Sequence, residues 1–263
     1  MLIAPPNLAI ENVVRLALEE DIARGDLTSD ALIPKDQPGK ADVRARDALT
    51  LSGLPVITAV YARVDAGVRV TPRVEDGADL KTGDVAATLE GPARALLLGE
   101  RVALNFAQRL SGIATMARHY TSLIPEGCGC RIADTRKTTP GLRALERYAV
   151  RCGGAHNHRN DLSSAVMIKD NHIAACGGDV RVAIERARAH APHTSRIECE
   201  VDTLEQLEVA VEAGADVVML DNFSDEETAR GVAYVRDHQM RPTIVEASGG
   251  ITFERIPALA RAG

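Results

Sequence analysis

No apolar stretch in this 263-residue chain approaches the ~18 residues that cross a bilayer, so no membrane association is expected. The N-terminus shows no basic region followed by an apolar core, and no secretory leader is expected. The five cysteines (128, 130, 152, 176 and 199) form no Cys-x-x-Cys pair, and an odd count excludes a complete disulfide framework. A reducing, cytoplasmic setting is therefore expected, and Cys199, inside a strand-like run, reads as a small buried apolar residue. The net charge of −6 argues against nonspecific nucleic-acid binding. No Gly-x-Gly-x-x-Gly follows a predicted strand, which weakens the case for a dinucleotide site. What remains is the composition of a soluble globular protein, 45% hydrophobic and 26% charged, able to bury one barrel-sized core or two smaller ones.

Local charge runs against the global balance. Residues 131–159 carry seven Arg or Lys against Asp134 and Glu146, a cationic island of +5 on an acidic chain. Within it lies Asp134-Thr-Arg-Lys-Thr-Thr-Pro-Gly141, with adjacent cations directly after a short apolar segment. Arg136 and Lys137 side by side suit a pocket for carboxylate or phosphate, since guanidinium clamps planar oxyanions and ammonium adds a point charge. The bland alternative is a basic surface loop. Arg143 and Arg147, four apart on a predicted helix, are evenly balanced between phosphate contact and a wet helix face.

The spacing predicts a helix from Asn7, as its cap, to about Ile22. Residues 38–95 read as short strands and turns punctuated by glycine. Leu98–Ile124 reads as a helix, or as two joined at Ser111-Gly112. From residue 130 strand and helix alternate. Strands are predicted at 131–133, 165–168, 196–201, 217–220 and 243–247, and helices near 141–151, 179–190, 203–213, 225–236 and 252–261. That alternation points to an α/β class with a parallel barrel or doubly wound sheet.

A parallel barrel gathers function at the carboxyl ends of its strands. Those ends carry Asp134–Gly141, His158-Arg159 with Lys169, Glu198 with Glu200, Asp221-Asn222, and Ser248-Gly249-Gly250. Alternation puts Glu198 and Glu200 on one face and Cys199 on the other. Five cationic donors, Arg136, Lys137, His158, Arg159 and Lys169, call for a multiply charged anion. Glu200 and Asp221 suit a metal ion or sugar hydroxyls. Ser248-Gly249-Gly250 before a helix offers backbone N–H groups to a phosphate. An anionic acid, a phosphate with Mg²⁺ and a sugar together describe phosphoribosyl transfer better than hydrolysis or redox chemistry. His172 reads as an orienting residue, and Met167 and Met219 as core fillers.

At this point a resemblance covers nearly the whole chain. Gly99-Glu-Arg-Val-Ala-Leu-Asn105, Leu110–Thr115, Asp134–Arg143, Gly153–Arg159, Ile168–Ile173, Glu198–Val201, Leu220–Asn222 and Glu246–Gly250 resemble, in the same order, the quinolinate phosphoribosyltransferase family. The resemblance implies an N-terminal α/β sandwich over residues 1–115 and an incomplete α/β barrel over 116–263. It implies quinolinate and 5-phosphoribosyl 1-diphosphate as substrates, Mg²⁺ as cofactor, and nicotinate mononucleotide, carbon dioxide and diphosphate as products. It further implies a homodimer in which Arg101 reaches the neighbouring active site. Arg136, Lys137, His158, Arg159 and Lys169 are expected to bind quinolinate and the donor, and Lys137 or Lys169 to deliver a proton. Glu200 and Asp221 are expected to serve the ribose and metal, and Ser248 to Gly250 a phosphate.

Three features depart from the family pattern. Asn160-Asp161 and Ser163-Ser164 stand where glycine-containing and acidic positions are expected, and Ala155 replaces a third glycine. Relatives also continue beyond the position of Gly263, so a further tail is expected. Rival readings are a metal-dependent amidohydrolase barrel using His156 and His158, an aldolase using Lys169, a barrel kept only for binding, and a molybdenum-uptake paralogue of the same fold.

Overall fold

The computed structural model describes residues 2–263. They form two compact units: residues up to Thr121 with Ile132–His158, and Ser122–Arg131 with Arg159–Gly263.

The first unit opens with α1 (Asn7–Ile22), whose buried Ile10, Val14 and Leu18 recur every four residues and line one face. Pro6, not Asn7, is the N-cap, and no side chain caps this helix. The Pro6 carbonyl accepts from the N–H groups of Ala9 and Ile10, so a fixed proline φ starts the helix in place of a cap hydrogen bond. α2 (Leu27–Leu32) is capped by Asp26, which accepts from the N–H groups of Thr28 and Ser29.

There follow β1 (Pro38–Arg44), β2 (Leu49–Thr50), α3 (Leu54–Val64), β3 (Arg69–Pro72), β4 (Asp79–Leu80), β5 (Val85–Pro92) and α4 (Ala93–Ser122). β1, β5 and β3 make an antiparallel sheet with β5 central, and β2 pairs with β4. α3 corrects the reading of 38–95 as strands and turns alone. Its β-branched residues and flanking glycine read as strand, but Asp76 caps it from afar, accepting from Gly53 N at 3.0 Å and Leu54 N at 3.2 Å. α4 is one helix of 30 residues, unbroken at Ser111-Gly112. Ser111 is buried there and exchanges hydrogen bonds of 3.1 Å with the Ser52 backbone, so tertiary contact holds the point where propensity is weak.

The strand predicted at 131–133 reduces to one parallel bridge, Ala133 to His156. α5 (Arg143–Cys152) then buries Leu145, Tyr148, Ala149 and Cys152 in the core of this same unit. A Cβ on the following Gly153 would lie 2.4 Å from the Ala114 carbonyl, so α5 ends pressed against α4.

The second unit runs β6 (Val166–Ile168), α6 (Asp170–Ala175), α7 (Val180–His190), β7 (Ile197–Val201), α8 (Leu204–Glu212), β8 (Val217–Asp221), α9 (Asp225–His238), β9 (Ile244–Ser248) and α10 (Ile256–Ala262). The strands form one parallel sheet in chain order, with helices between them, as in an incomplete α/β barrel. Ile168, Ile197, Cys199, Val201, Val218 and Leu220 pack with Ile184, Leu207 and Val211 of the helices. Burying each such aliphatic side chain contributes about 1.5–3 kcal/mol. Alternation sends Met167, Glu198, Glu200, Met219, Asp221, Glu246 and Ser248 to the opposite face, and the register aligns Glu200 with Met219 and Glu246. α6, absent from the sequence reading, begins directly after Lys169.

Candidate active site

In the second unit the strand ends carry the candidate residues. Lys169, just past β6, contacts the Glu200 carboxylate on β7. The Lys169 N–H donates to His172 Nδ1 at 2.9 Å, so the histidine ring orients the residue before the helix. Asp221 ends β8. Burial pushes its carboxyl above the usual range, the charges of Glu200 and Asp202 add to that, and Lys169 and a hydrogen bond from Asn222 only partly offset them.

Asn222 adopts φ +58° and donates from Nδ2 to Asp221 at 2.7 Å, while its N–H donates to the Ser248 carbonyl at 2.8 Å. The ends of β8 and β9 are thereby knitted together. Gly249 has φ +80°, and a Cβ there would fall 2.2 Å from Asn222 Oδ1, so glycine is required. Among the described residues nothing accepts the N–H groups of Gly249, Gly250 or Ile251. The turn does not lead directly into a helix as expected, since α10 starts only at Ile256.

Arg159 donates to the Ala165 carbonyl and to Met167 Sδ, each at 3.3 Å. Met167 therefore lies under a guanidinium on the polar face of the sheet, a correction to its reading as a core filler. Met219 and Cys199 are buried, and burial pushes the Cys199 thiol up to about 12. The departing Asn160–Ser164 segment closes on itself. Asp161 accepts from the Ser163 hydroxyl and N–H, the Ser164 hydroxyl and Asn160 Nδ2, which together hold its carboxyl far below the usual range.

In the first unit the loop Asp134–Gly141 is held by buried ions. Asp134, its side chain 6% exposed, pairs with Arg147 at 3.1 Å and accepts the His158 N–H at 2.7 Å. Arg147 also donates to the His158 carbonyl at 2.8 Å. Arg147 thus braces the loop and is not the wet helix face that the sequence offered as one reading. Arg143 donates to Thr138 Oγ1 at 3.1 Å and so braces the same loop. Glu146 is buried and accepts from Arg109 at 2.6 and 2.9 Å and from the Thr139 N–H at 3.2 Å. Burial opposes its ionisation, but these bonds outweigh it and hold the carboxyl below its usual range.

Against this fully bonded frame, Arg136 Nε is buried with no hydrogen-bond partner among the described residues. Lys137 is exposed, and His158 is half-buried. Arg101 is exposed on α4, and its side chain makes no hydrogen bond or ion pair among the described residues. Arg109, Glu146 and Asn222 were absent from the sequence-based set. Glu146 was the one carboxylate inside the cationic helix, a signal that could have marked it. Asn222 stood at a strand end beside Asp221 but was given no role, and Arg109 gave no signal.

Comparison with known proteins divides the chain between residues 111 and 113, so residues 132–158 fall in the C-terminal family domain although they pack in the first compact unit. The quinolinate phosphoribosyl transferase N-terminal domain matches residues 26–111, and the C-terminal domain of that family matches residues 113–263. The "Probable nicotinate-nucleotide pyrophosphorylase (carboxylating)" of Bacillus subtilis (strain 168) is 44% identical over 98% of this chain and 86% of its own. The nicotinate-nucleotide pyrophosphorylase (carboxylating) of Homo sapiens is 40% identical over 95% of this chain and 84% of its own. The solved structure of the nicotinate-nucleotide pyrophosphorylase from Francisella tularensis superimposes with a TM-score of 0.91 at 36% identity, covering 98% of this chain and 89% of that one.

Proposed function

The chain belongs to the quinolinate phosphoribosyltransferase family, and on that premise we propose that it transfers phosphoribose from 5-phosphoribosyl 1-diphosphate to quinolinate with decarboxylation. The pyridine nitrogen lone pair forms a bond to the anomeric carbon as the bond to diphosphate breaks. The carboxylate beside the quaternised nitrogen then leaves as carbon dioxide, its electron pair stays on the ring carbon, and a proton replaces it. The products are nicotinate mononucleotide, carbon dioxide and diphosphate, and the reaction serves NAD biosynthesis.

The observation that carries this reading is the buried Nε of Arg136, without a partner among the described residues, in a loop whose Asp134 is bonded to Arg147. Such a donor is costly unless a ligand accepts from it, and a planar carboxylate fits a guanidinium best. Lys137 adds positive charge for the same acid, His158 adds a hydrogen-bonding ring, and the Arg159 guanidinium suits a carboxylate by the same planar chemistry. Glu200 and Asp221 favour the sugar cation that develops as diphosphate departs, and Ser248 to Gly250 offer N–H groups to phosphate. Lys169 or Lys137 delivers the final proton.

Glu200 and Asp221 fit Mg²⁺. The charge of Glu200 helps raise the Asp221 carboxyl, and a hard divalent cation between oxygen ligands relieves that repulsion. When bound, the ion would neutralise charge on the departing diphosphate. Arg101, exposed and unengaged on α4, supports a homodimer in which it serves the neighbouring copy. The five unpaired cysteines support a cytoplasmic location. Among the described residues no helix is long and apolar enough to cross a membrane.

Incubation with quinolinate, 5-phosphoribosyl 1-diphosphate and Mg²⁺ should yield nicotinate mononucleotide by mass spectrometry. Absence of that product, together with no binding of quinolinate in the presence of the donor, would overturn the proposal.

A further inference from the structure

Arg255 ties together two turns that no helix or ladder joins at that point. Its Nη1 donates to the Gly250 carbonyl at 2.9 Å, Nη2 to the Phe223 carbonyl at 2.7 Å, and Nε to Asp225 at 2.7 Å. The side chain is 23% exposed, so the guanidinium works largely out of water. One planar cation thus spans the turn after β8, which carries Asp221 and Asn222, and the turn after β9, which carries Gly249 and Gly250. Neither the motif resemblance nor the charge pattern marks it.

Peptide planarity makes this contact directional. A carbonyl and the N–H of the next residue point opposite ways across a trans peptide. With the Gly250 carbonyl drawn onto Arg255, the Ile251 N–H faces away from it. With the Ser248 carbonyl held by the Asn222 N–H, the Gly249 N–H is likewise turned outward. These are the amides that nothing accepts among the described residues. Successive glycines at φ +80° and +59° allow that arrangement but do not select it, because glycine populates many others. Arg255 does the selecting at the Gly250–Ile251 peptide and the Asn222 N–H at the Ser248–Gly249 peptide, and Asp225, an acid in the first turn of α9, fixes the guanidinium in turn.

We infer that Arg255 is a positioning residue that aims the Ile251 amide, beside the Gly249 amide that Asn222 sets, at a phosphate or diphosphate group of the donor. The inference rests on the proposed function for its ligand but concerns a residue that touches no substrate. Its effect is confined to the donor, since the turns it holds are those of the phosphate and the ribose carboxylate.

Steady-state kinetics of the full chain test it. Arg255→Ala should raise the KM for 5-phosphoribosyl 1-diphosphate about tenfold, as expected for losing charge-assisted bonds, and leave the KM for quinolinate nearly unchanged. Asp225→Asn, which keeps the guanidinium but loosens its anchor, should move the donor KM the same way by less. Calorimetric titration with inorganic diphosphate should show the matching loss of affinity. An unchanged donor KM, or an equal rise in both KM values, overturns the inference. If Arg255→Ala does not fold, Asp225→Asn decides by the same criteria. Absence of turnover in the unaltered protein would sink the proposed activity instead. The diphosphate titration still reads Arg255 then, and equal affinities of unaltered and variant protein overturn its role.

Discussion

Arg147 and Asp134 hold the His158 backbone on either side of its Cα: the carboxylate accepts its N–H at 2.7 Å and the guanidinium donates to its carbonyl at 2.8 Å, while the two ions pair at 3.1 Å. The pair is largely buried, with side chains 6% and 13% exposed, so the loss of one member leaves a charge with little access to water. Removing one member of such a pair typically costs about 3–5 kcal/mol. Arg147→Ala should therefore lower the urea midpoint and thermal midpoint markedly and abolish turnover. Arg147→Lys should recover part of the stability, since an ammonium reaches Asp134, but little of the turnover, since it cannot fork to the His158 carbonyl. A fully active Arg147→Lys variant would remove the clamp from the account.

Arg136 predicts the opposite pattern. Its Nε is buried and unbonded among the described residues, so Arg136→Leu removes an unsatisfied donor and should leave unfolding free energy within about 1 kcal/mol of the unaltered protein, or raise it. Quinolinate binding should weaken by about 2–3 kcal/mol, the range for losing a charged hydrogen-bond partner. Calorimetry for binding and urea denaturation for stability separate the two effects.

Asp221 should trade stability for function. Its carboxyl is raised in the folded state by burial and then by Glu200, so its ionisation disfavours folding. The associated stability is present below the unfolded carboxylate range and is lost as pH rises through the folded value. Asp221→Asn should accordingly raise the thermal midpoint near neutral pH while abolishing turnover, and the gain should vanish on acidification. A lower midpoint at neutral pH would contradict the direction of that shift.

Glu146 runs the other way. Its carboxyl is held below the ordinary 4.5 because the Arg109 and Thr139 hydrogen bonds outweigh burial. Its contribution is present above the unfolded value and is lost as pH falls through the folded one. Thermal midpoints followed from neutral pH downward should show an acid loss that Glu146→Gln lacks, with the variant less stable at neutral pH. Superimposable curves for the two proteins would remove Glu146 as the anchor of Thr139.

The sequence-based reading succeeded where one local signal and the tertiary structure agreed. The strands from 165 onward are short apolar runs bounded by polar ends, and β6 to β9 fall within a residue or so of where alternation put them. It failed where a distant group decides. α3 is started by Asp76, over twenty residues away, so its β-branched run looked like strand. The run at 131–133 has a partner only at His156, which yields a bridge and not a ladder. Arg136 stood out because adjacent cations follow an apolar run. Arg147 was ambiguous because its partner lies thirteen residues back in a loop, beyond helical spacing. Arg255 was invisible because two of its partners are backbone carbonyls, which carry no sequence signature, and its carboxylate partner Asp225 lies thirty residues back.

The central claim is that attack on the anomeric carbon and loss of the carboxyl group belong to one reaction of this chain. Quinolinate labelled with ¹³C in the carboxyl group beside the ring nitrogen measures that directly. Labelled carbon dioxide should appear only when 5-phosphoribosyl 1-diphosphate and Mg²⁺ are present, in equal molar amount to the diphosphate released. Diphosphate release without labelled carbon dioxide, or decarboxylation without the donor, would contradict it.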